Sequence, residues 1–241
     1  MPGRTRRVRL GKLASTMELI VRMLLAYLLG SINGALLVGR LSGGIDIRTQ
    51  GSGNAGGTNA LRTQGPAFAL AVLVIDIAKG WIASAWLGTA AVPGLTGAAS
   101  SSGVALQAWA SAACGFAAIV GHVYPVFHGF RGGKGVATLL GSIAGLVPAL
   151  LAVVLGTWFV MMLLFGFVGF ASIVATASLP VALALRVPSA AATAPLIAFG
   201  VACTLLVLWT HRGNLRRMRA GTEPRSRRLW LLGRFRREPD A

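Results

Sequence analysis

The chain has 241 residues, of which 55% are hydrophobic and only 12% are charged, with a mean hydropathy of +0.71. Soluble domains carry about 25% charged residues, so this composition excludes a water-soluble enzyme, a disordered chain and a coiled coil, and it predicts an integral membrane protein. The formal net charge of +17 comes from 23 Lys and Arg against 6 Asp and Glu. Because the basic residues cluster at the edges of apolar segments, they favour a membrane surface over nucleic acid as the partner.

Apolar segments of about 20 residues, the length that crosses a bilayer, recur along the chain. The first three are separated by polar loops. The last four follow one another from Val136 onward and are divided at Pro148, at the glycines of 166–169 and at Pro188. The sequence therefore predicts an all-α, polytopic membrane protein with about seven transmembrane helices. The predicted spans are 17–41, 66–87, 104–127, 136–147, 148–165, 168–186 and 193–210.

Basic residues predict the orientation of these spans. The Gly-rich loops 41–65 and 128–135 are basic, as is the tail 211–241, whereas the loop 90–103 is uncharged. With an odd number of spans the three basic segments lie on one side of the membrane, which the positive-inside rule predicts to be the cytoplasm. The first sixteen residues, also basic, would then lie outside. Either the number of spans differs from seven, or these residues are an extension that is not part of the native start; because Met17 opens the first apolar run, we favour the extension.

The first candidate motif is the loop 51–62, which reads Gly-Ser-Gly-Asn-Ala-Gly-Gly-Thr-Asn-Ala-Leu-Arg. It formally matches a dinucleotide-binding pattern, but that pattern is meaningful only between a strand and a helix. Glycines instead allow backbone N–H groups to converge on an anion, and Arg62 adds a planar cation suited to phosphate. A flexible loop is the alternative, but the many amide and hydroxyl groups favour an anion site. The predicted binding residues are Gly51, Gly53, Asn54, Gly56, Thr58, Asn59 and Arg62, with Ser52 among them and Arg48 just before.

The second motif is Phe-Arg-Gly-Gly-Lys-Gly-Val-Ala-Thr at 130–138. It is not a P-loop, because Gly135 rather than Ser or Thr follows Lys134. It nevertheless leads into a predicted helix, whose free N–H groups and dipole favour a phosphate. The alternative is that Arg131 and Lys134 only mark the cytoplasmic side. Two glycine-basic loops on one face favour phosphate binding by Gly133, Lys134 and Gly135.

The third motif closes the last span, where His211 and Asn214 are three residues apart and so share a helix face. A lone histidine at a helix end is more often interfacial than catalytic, and that interpretation suits His122 and His128 better than His211. Asp76 and Lys79 lie within the second span. Ionisable residues inside a membrane indicate a functional site, but a structural ion pair is an equally good interpretation.

Neither metal chemistry nor glycoside hydrolysis has support in the sequence. There is no carboxylate pair for glycoside hydrolysis, no Cys or His cluster for zinc and no acidic set for magnesium, so we predict no metal site and no cofactor. Cys114 and Cys203 lie inside apolar runs, which is typical of small buried hydrophobic residues.

Together the motifs resemble the bacterial acyl-phosphate-dependent glycerol-3-phosphate acyltransferases, seven-span enzymes of the inner membrane. The resemblance covers about residues 17–225. The matching positions are Gly30-Ser31, Asp46-Ile47-Arg48, Gly51 to Asn54, Thr58-Asn59, Arg62, Asp76, Lys79-Gly80, Gly121-His122, Pro125 to Phe127, Gly132 to Thr138, His211-Arg212, Asn214 and Gly221 to Glu223.

The resemblance implies acyl transfer from acyl phosphate to the 1-hydroxyl of glycerol 3-phosphate, giving lysophosphatidic acid and phosphate, the first step of phospholipid biosynthesis. It implies that Ser52, His211 and Asn214 surround the reacting phosphates as catalytic residues, with Arg62 and Lys134 as charge clamps. At this point His211 could either accept the hydroxyl proton or donate to a phosphate.

The resemblance also implies the setting of the reaction. Residues 17–210 are expected to form a transmembrane catalytic domain between the basic extension 1–16 and the basic cytoplasmic tail 211–241, which begins with the last motif. The expected partners are acyl phosphate, glycerol 3-phosphate and the lipid bilayer, without nucleic acid. We expect a monomeric, multi-pass protein of the bacterial plasma membrane with its active site facing the cytoplasm.

The chain departs from the family pattern at several positions. Asn33 stands where Pro is usual, Gly57 where Ala is usual, and Arg131 where Lys is common. The link 166–172 lacks the usual Arg-Tyr and Ser, so one phosphate donor of the family is predicted to be missing or shifted to Ser172.

Two other classes of protein are weighed against an enzyme. A transporter of a phosphorylated solute would suit the Asp76–Lys79 pair and the glycine-interrupted helices, but the polar motifs collect on one face rather than at the midplane. A non-enzymatic scaffold would leave the polar donors of 51–59 unexplained.

Overall fold

The computed structural model describes residues 2–90, 104–186, 190–226 and 229–231, and of residues 2–12, 104, 186 and 190–192 the backbone only. Most of the predicted outer loop and the break at Pro188 lie outside these ranges. Every regular element within them is helical, which confirms the all-α prediction. The helices are α1 Pro2–Ser31, α2 Gly34–Leu41, α3 Gly57–Thr63, α4 Pro66–Trp81, α5 Val104–Val123, α6 Val136–Leu146, α7 Leu151–Phe165, α8 Val168–Arg186, α9 Ala190–Thr210 and α10 Arg212–Arg219.

Within the described ranges, six segments are long and apolar enough to cross a membrane, and the shorter α6 makes a seventh apolar element. α6 has 11 residues and is therefore about 16 Å long, roughly half the thickness of the hydrocarbon core. The predicted number of about seven agrees with six full spans and one partial span. The six segments are Leu13–Ser31, Pro66–Leu87, Ala105–His128, Pro148–Phe165, Val168–Leu185 and Thr193–Thr210.

The first predicted span is broken, so the prediction of one helix over 17–41 was wrong. α1 ends at Ser31, and α2 begins after Asn33. The Asn33 side-chain oxygen accepts hydrogen bonds from the N–H groups of Ala35 (3.1 Å) and Leu36 (3.2 Å), which caps α2. An Asn cap satisfies backbone donors that a helix start leaves unpaired, and hydropathy alone does not register it.

The backbone groups exposed by this break are satisfied by a polar cluster that α4 and α5 supply. The N–H of Gly34 donates to Asp76 Oδ1 (3.1 Å), and Lys79 Nζ donates to the carbonyl of Ile32 (2.9 Å). His122 lies against both side chains, and all three are nearly inaccessible to solvent. We call Asp76, Lys79 and His122 the buried triad. The interfacial interpretation of His122 was therefore wrong, because its ring fills a polar site inside the bundle.

Close helix packing surrounds the buried triad. A Cβ atom at Gly80 would lie 2.0 Å from the carbonyl oxygen of Thr138, and one at Gly141 would lie 1.9 Å from that of Ile77. α1 approaches α5 equally closely at Gly30. Small residues let membrane helices approach until their backbones touch, so α1, α4, α5 and α6 form a tightly packed support for the loops that follow them.

The three basic loop regions meet at one end of the bundle, as predicted from charge. We call this the site end: the loops 42–56 and 124–135, the α7–α8 link and α10. Side-chain and backbone hydrogen bonds join these segments to one another and to the helix ends. They are Asn33 Nδ2 to Ala55 O (3.2 Å), Arg48 Nη1 to His128 O (3.0 Å), Thr210 Oγ1 to Lys134 O (3.2 Å) and Ser226 N to Gly166 O (2.8 Å).

Candidate active site

The first motif is folded around the side chain of Asn59. Its Oδ1 accepts from the N–H of Ser52 (2.9 Å), and its Nδ2 donates to the carbonyls of Ile47 (3.1 Å) and Gln50 (3.0 Å). The loop turns back towards Asn59 at Gly51, whose φ of +56° is in the left-handed region that favours glycine. Asn59 is buried, and both of its amide hydrogens are used to hold the loop.

The other polar residues of this motif are accessible. Ser52, Thr58 and Arg62 are exposed, and Asn54 is partly exposed. Arg62 lies in the last turn of α3. These side chains are available to a ligand at the site end, whereas Asn59 sets the shape of the loop that carries them.

Arg48 joins the first loop to the second. Its Nη2 lies 2.8 Å from Asp46 Oδ2, and its Nη1 donates to the carbonyls of His128 (3.0 Å) and Arg131 (3.3 Å). The hydrogen bonds from Arg48 hold the pKa of Asp46 down to about 2. The guanidinium of Arg48 is thus bound to Asp46 and to two backbone oxygens, and its role as a substrate ligand stays a prediction.

The second loop is fixed against the end of α5. The N–H of Gly132 donates to Val123 O and the N–H of Gly133 to His122 O, both at 3.1 Å. A Cβ atom at Gly132 would lie 2.0 Å from the carbonyl oxygen of His122. Glycine is therefore required here for close approach of two backbones. The N–H of Gly133 is already bonded, and substrate binding by Gly133 stays a prediction. Gly135, with a φ of +85°, turns the chain into α6.

Lys134 is held by a chain of side chains that leads to α10 and beyond. Its Nζ donates to Asn214 Oδ1. Asn214 Nδ2 donates to Glu223 Oε1 (2.6 Å), and Arg217 Nε donates to Glu223 Oε2 (2.7 Å). Because only the amide nitrogen can donate to the carboxylate, Glu223 fixes the amide of Asn214 with its oxygen towards Lys134.

The charge of Lys134 is weakly hydrated. Burial lowers the pKa of Lys134 to about 8, opposed by the carboxylate of Glu223 and supported by the cations of Arg217 and Arg62. Arg62 and Lys134, from separate motifs, therefore act on the same small region. An anion entering it would meet a cation that already has little water to lose.

His211 is buried beside Lys134, at the start of α10. Its Nδ1 lies 2.9 Å from the carbonyl oxygen of Val207, which can only accept, so Nδ1 carries the hydrogen. Burial lowers the pKa of His211 to about 4, and the nearby charge of Lys134 lowers it further. The imidazole is thus neutral at pH 7, and its second nitrogen, Nε2, has the lone pair.

Comparisons with known proteins agree with this arrangement. A sequence model described as glycerol-3-phosphate acyltransferase matches residues 20–221. A glycerol-3-phosphate acyltransferase of Pseudomonas savastanoi pv. phaseolicola is 41% identical over 202 residues, which is 82% of this chain and 93% of that protein. One from Azotobacter vinelandii is 40% identical over 83% of this chain and 95% of its own length. This chain belongs to the glycerol-3-phosphate acyltransferase family.

A solved structure supports the same assignment. The crystal structure described as PlsY (YgiH), an integral membrane glycerol 3-phosphate acyltransferase, in its glycerol 3-phosphate form, has 32% sequence identity and a TM-score of 0.73. The match covers 86% of this chain and 94% of that one. The lysophosphatidic acid form of the same protein gives the same identity and TM-score.

The first turn of α8 lies against Asn214. A Cβ atom at Gly169 would be 2.9 Å from Asn214 Cβ, so a larger residue would push the amide away. Ser172, the predicted substitute for the family donor, is bound elsewhere: its hydroxyl donates to Val168 O (2.9 Å) and accepts from Trp158 Nε1 (3.3 Å). The predicted shift of the donor to Ser172 is therefore corrected.

The structure sorts the predicted site residues into two groups. One group holds the loops in shape through Arg48, Asn59 and Gly133. The other group surrounds Lys134. Asn214 contacts Lys134 directly, the charge of Lys134 acts on His211, and Arg62 acts on Lys134 through its charge.

Two residues that hold the site were missed by sequence reasoning. Glu223 was quoted only as part of a motif, although it orients Asn214, and His122 was assigned to the interface. The signal for Glu223 was available: it is one of only six acidic residues in the chain and follows a cluster of arginines. Nothing local in the sequence identifies the partners of His122, because they lie 43 and 46 residues away.

Proposed function

We propose that this protein transfers an acyl group from acyl phosphate to the 1-hydroxyl of glycerol 3-phosphate, forming lysophosphatidic acid and inorganic phosphate. Membership of the glycerol-3-phosphate acyltransferase family supports the acyl acceptor. The solved relative, described in glycerol 3-phosphate and lysophosphatidic acid forms, supports the acceptor and the product. The choice of acyl phosphate as donor rests on the resemblance and on the chemistry of the site.

The observation that carries this proposal is the contact of Lys134 with Asn214 beside His211. It combines a partly dehydrated cation, an amide of fixed orientation and a neutral imidazole at the end of a membrane bundle. Phosphate-bearing substrates need the cation, and an acyl chain needs the adjoining bilayer. Charge-assisted contacts of a phosphate with Lys or Arg are stronger than neutral hydrogen bonds.

The neutral state of His211 favours the role of proton acceptor over that of phosphate donor. In this scheme, Nε2 takes the proton of the 1-hydroxyl as the oxygen attacks the acyl carbon. A carbon–oxygen bond to glycerol 3-phosphate forms, the bond between the acyl carbon and the phosphate oxygen breaks, and the proton passes to the departing phosphate. Because phosphate is a good leaving group, positioning and charge stabilisation are the main requirements of the site.

The remaining catalytic proposals concern the first motif. Ser52 and Thr58 offer hydroxyl groups, and Arg62 offers a guanidinium that can grip a phosphate through two hydrogen bonds. We assign them to the outer side of the substrate phosphates because their side chains are exposed, whereas Lys134, Asn214 and His211 are more enclosed.

We propose that the site end faces the cytoplasm of a bacterial plasma membrane and that the protein is a monomer. Residues 17–210 form the transmembrane catalytic domain, to which the start of the tail 211–241 adds His211 and Asn214. The basic loops gathered at this end support the orientation through the positive-inside rule. Single-cysteine labelling from outside the cell, after replacement of Cys114 and Cys203, tests it. Thr89→Cys should react with an impermeant reagent and Gln64→Cys should not; the reverse result would overturn the orientation.

Transport of a phosphorylated solute is less well supported than acyl transfer. The feature that favoured it was the Asp76–Lys79 pair inside the membrane. Both side chains are bonded to backbone groups at the α1–α2 break, so the pair has a local structural partner and does not indicate a solute path.

The proposed donor is tested with the purified protein in detergent. Acyl phosphate and glycerol 3-phosphate together should yield free phosphate and acylated product, whereas acyl-coenzyme A in place of acyl phosphate should yield none. Equal turnover with acyl-coenzyme A would overturn the choice of acyl phosphate as the specific donor.

A further inference from the structure

The buried triad is more than an ion pair within one helix. Lys79 Nζ lies 2.8 Å from Asp76 Oδ1, 2.9 Å from His122 Nδ1 and 2.9 Å from the carbonyl oxygen of Ile32. His122 Nδ1 also lies 3.2 Å from Asp76 Oδ1. The imidazole of His122 is thus held at one nitrogen by the pair on α4, and this fixes which way its opposite edge points.

That opposite edge lies directly beneath the loop that carries Lys134. A Cβ atom built on Gly133 would be 2.1 Å from His122 Nε2 and 2.7 Å from the carbonyl oxygen of Ala55. The ring therefore occupies the space that a side chain of Gly133 would take. The backbone oxygen of His122 also accepts the N–H of Gly133 (3.1 Å). His122 consequently contacts Gly133 through both its ring and its backbone.

We propose that Asp76 and Lys79 are positioning residues for Lys134. They hold the His122 ring against Gly133 and thereby fix the backbone position from which the next residue, Lys134, contacts a substrate phosphate. This inference rests on the proposed function, in which Lys134 binds that phosphate. The triad reaches the second loop through His122 and Gly133. It also reaches the first loop through the α1–α2 break, where Asn33 Nδ2 donates to Ala55 O (3.2 Å).

The chain contains a second buried ion pair that serves as a matched control. Glu18 and Arg22 are paired on α1, and Arg22 Nη1 donates to the carbonyl of Gly88 (3.0 Å). Both residues are buried, but Gly88 follows α4 at the end of the bundle opposite the site. Removing either pair removes two buried charges together, so neither change leaves a single charge unpaired.

The test measures the dissociation constant of glycerol 3-phosphate and the melting temperature of the purified full-length chain. The variants are Asp76→Asn/Lys79→Met and Glu18→Gln/Arg22→Met, with Lys134→Ala as reference. We expect Lys134→Ala and the triad variant each to raise Kd about tenfold or more, which is about 1.4 kcal/mol. The control pair should leave Kd within about twofold, whatever the change in its melting temperature. A merely structural role for Asp76 and Lys79 would lower the melting temperature and leave Kd unchanged, which would overturn the proposal.

Combining the variants tests whether the effect passes through Lys134. In the Lys134→Ala background, the Asp76→Asn/Lys79→Met change should add little to Kd, because residues acting through one contact are not additive. Full additivity would contradict the proposal. If Asp76→Asn/Lys79→Met does not fold, His122→Asn takes its place. The amide of this variant can still contact Lys79, but it leaves the space under Gly133 unfilled. His122→Asn should therefore also raise Kd, and an unchanged Kd would overturn the proposal.

The result is separable from the test of the proposed function. An unchanged Kd in the triad variant, with wild-type turnover of acyl phosphate, would overturn only the positioning role. If the wild-type protein binds glycerol 3-phosphate but does not turn over acyl phosphate, and the triad variant still raises Kd, only the proposed donor would be overturned.

Discussion

Lys134 and Arg62 are the two cations predicted to clamp phosphate, and the structure treats them differently. Lys134 is partly buried, contacts Asn214 and follows a loop fixed to α5. Arg62 is exposed on the short helix α3. A side chain already ordered and dehydrated in the free protein costs less entropy and desolvation free energy on binding than one that the ligand must order. The comparison indicates that two equal charges in one site can contribute unequally to substrate binding.

The largest expected effect is that of Lys134→Ala. Charge-assisted contacts are worth about 1.5–3 kcal/mol, which is roughly tenfold to a hundredfold in rate. We expect kcat/KM to fall about a hundredfold in Lys134→Ala and about tenfold in Arg62→Ala. Arg40→Ala, at an exposed arginine on α2, is the control and should stay near the wild-type value. If kcat/KM of Lys134→Ala falls by less than about twofold, Lys134 does not bind phosphate and only marks the cytoplasmic side of the membrane.

The second prediction concerns His211, next to Lys134. If its neutral Nε2 accepts the proton, His211→Ala should lose about a hundredfold in kcat, within the usual range for general-base catalysis. His211→Gln should lose a similar amount, because an amide nitrogen cannot act as the base. Substantial activity in His211→Gln alone would instead identify His211 as a phosphate donor. Equal, near-wild-type rates in both variants would remove it from the mechanism.

The pH profile sharpens the same assignment. The pKa of His211 is lowered to about 4 by burial, so the neutral base persists as the pH falls through 6.5. The value of kcat/KM reports the free enzyme and the free substrates, and a phosphate monoester itself titrates at about pH 6. His211 should therefore add nothing to the profile between about pH 6 and 7, and its shape there should be the same in the wild type and in His211→Gln. A histidine-like decline centred near pH 6.5 in the wild type, absent in His211→Gln, would contradict the buried neutral state.

The smallest expected effect is an alkaline decline that belongs to Lys134. Its pKa is lowered to about 8, so the cation is present below pH 8 and is lost as the pH rises through that value. The value of kcat/KM should therefore fall above about pH 8. In Lys134→Arg this decline should move to higher pH, since a guanidinium keeps its proton. The same alkaline decline in both proteins would assign it to another group.

Sequence patterns predicted the membrane segments well because a span is defined by its own length and hydropathy. They failed at residues 32–33, where an apolar run is interrupted by a cap. Asn33 followed by Gly34 was a local signal of that break, but the groups that complete it come from Asp76 and Lys79, which are distant in the chain. Local hydropathy carries no information on such partners.

The site was predicted by residue type more reliably than by role. Asn59 and Arg48 were chosen as donors, and they do donate, but to backbone carbonyls of neighbouring segments. Whether such a side chain donates to a substrate anion or to a backbone carbonyl depends on how the two loops pack against each other. Lys134 and Asn214 were predicted from separate motifs, and their contact could be inferred only through the family resemblance.

The most direct test of the account is the stoichiometry of the reaction in one sample. Purified protein with acyl phosphate and glycerol 3-phosphate should release one phosphate for each acylated glycerol 3-phosphate formed, and Lys134→Ala should lose both products in parallel. Release of phosphate without the acylated product, or unchanged formation of both by Lys134→Ala, would contradict acyl transfer at the site built around Lys134.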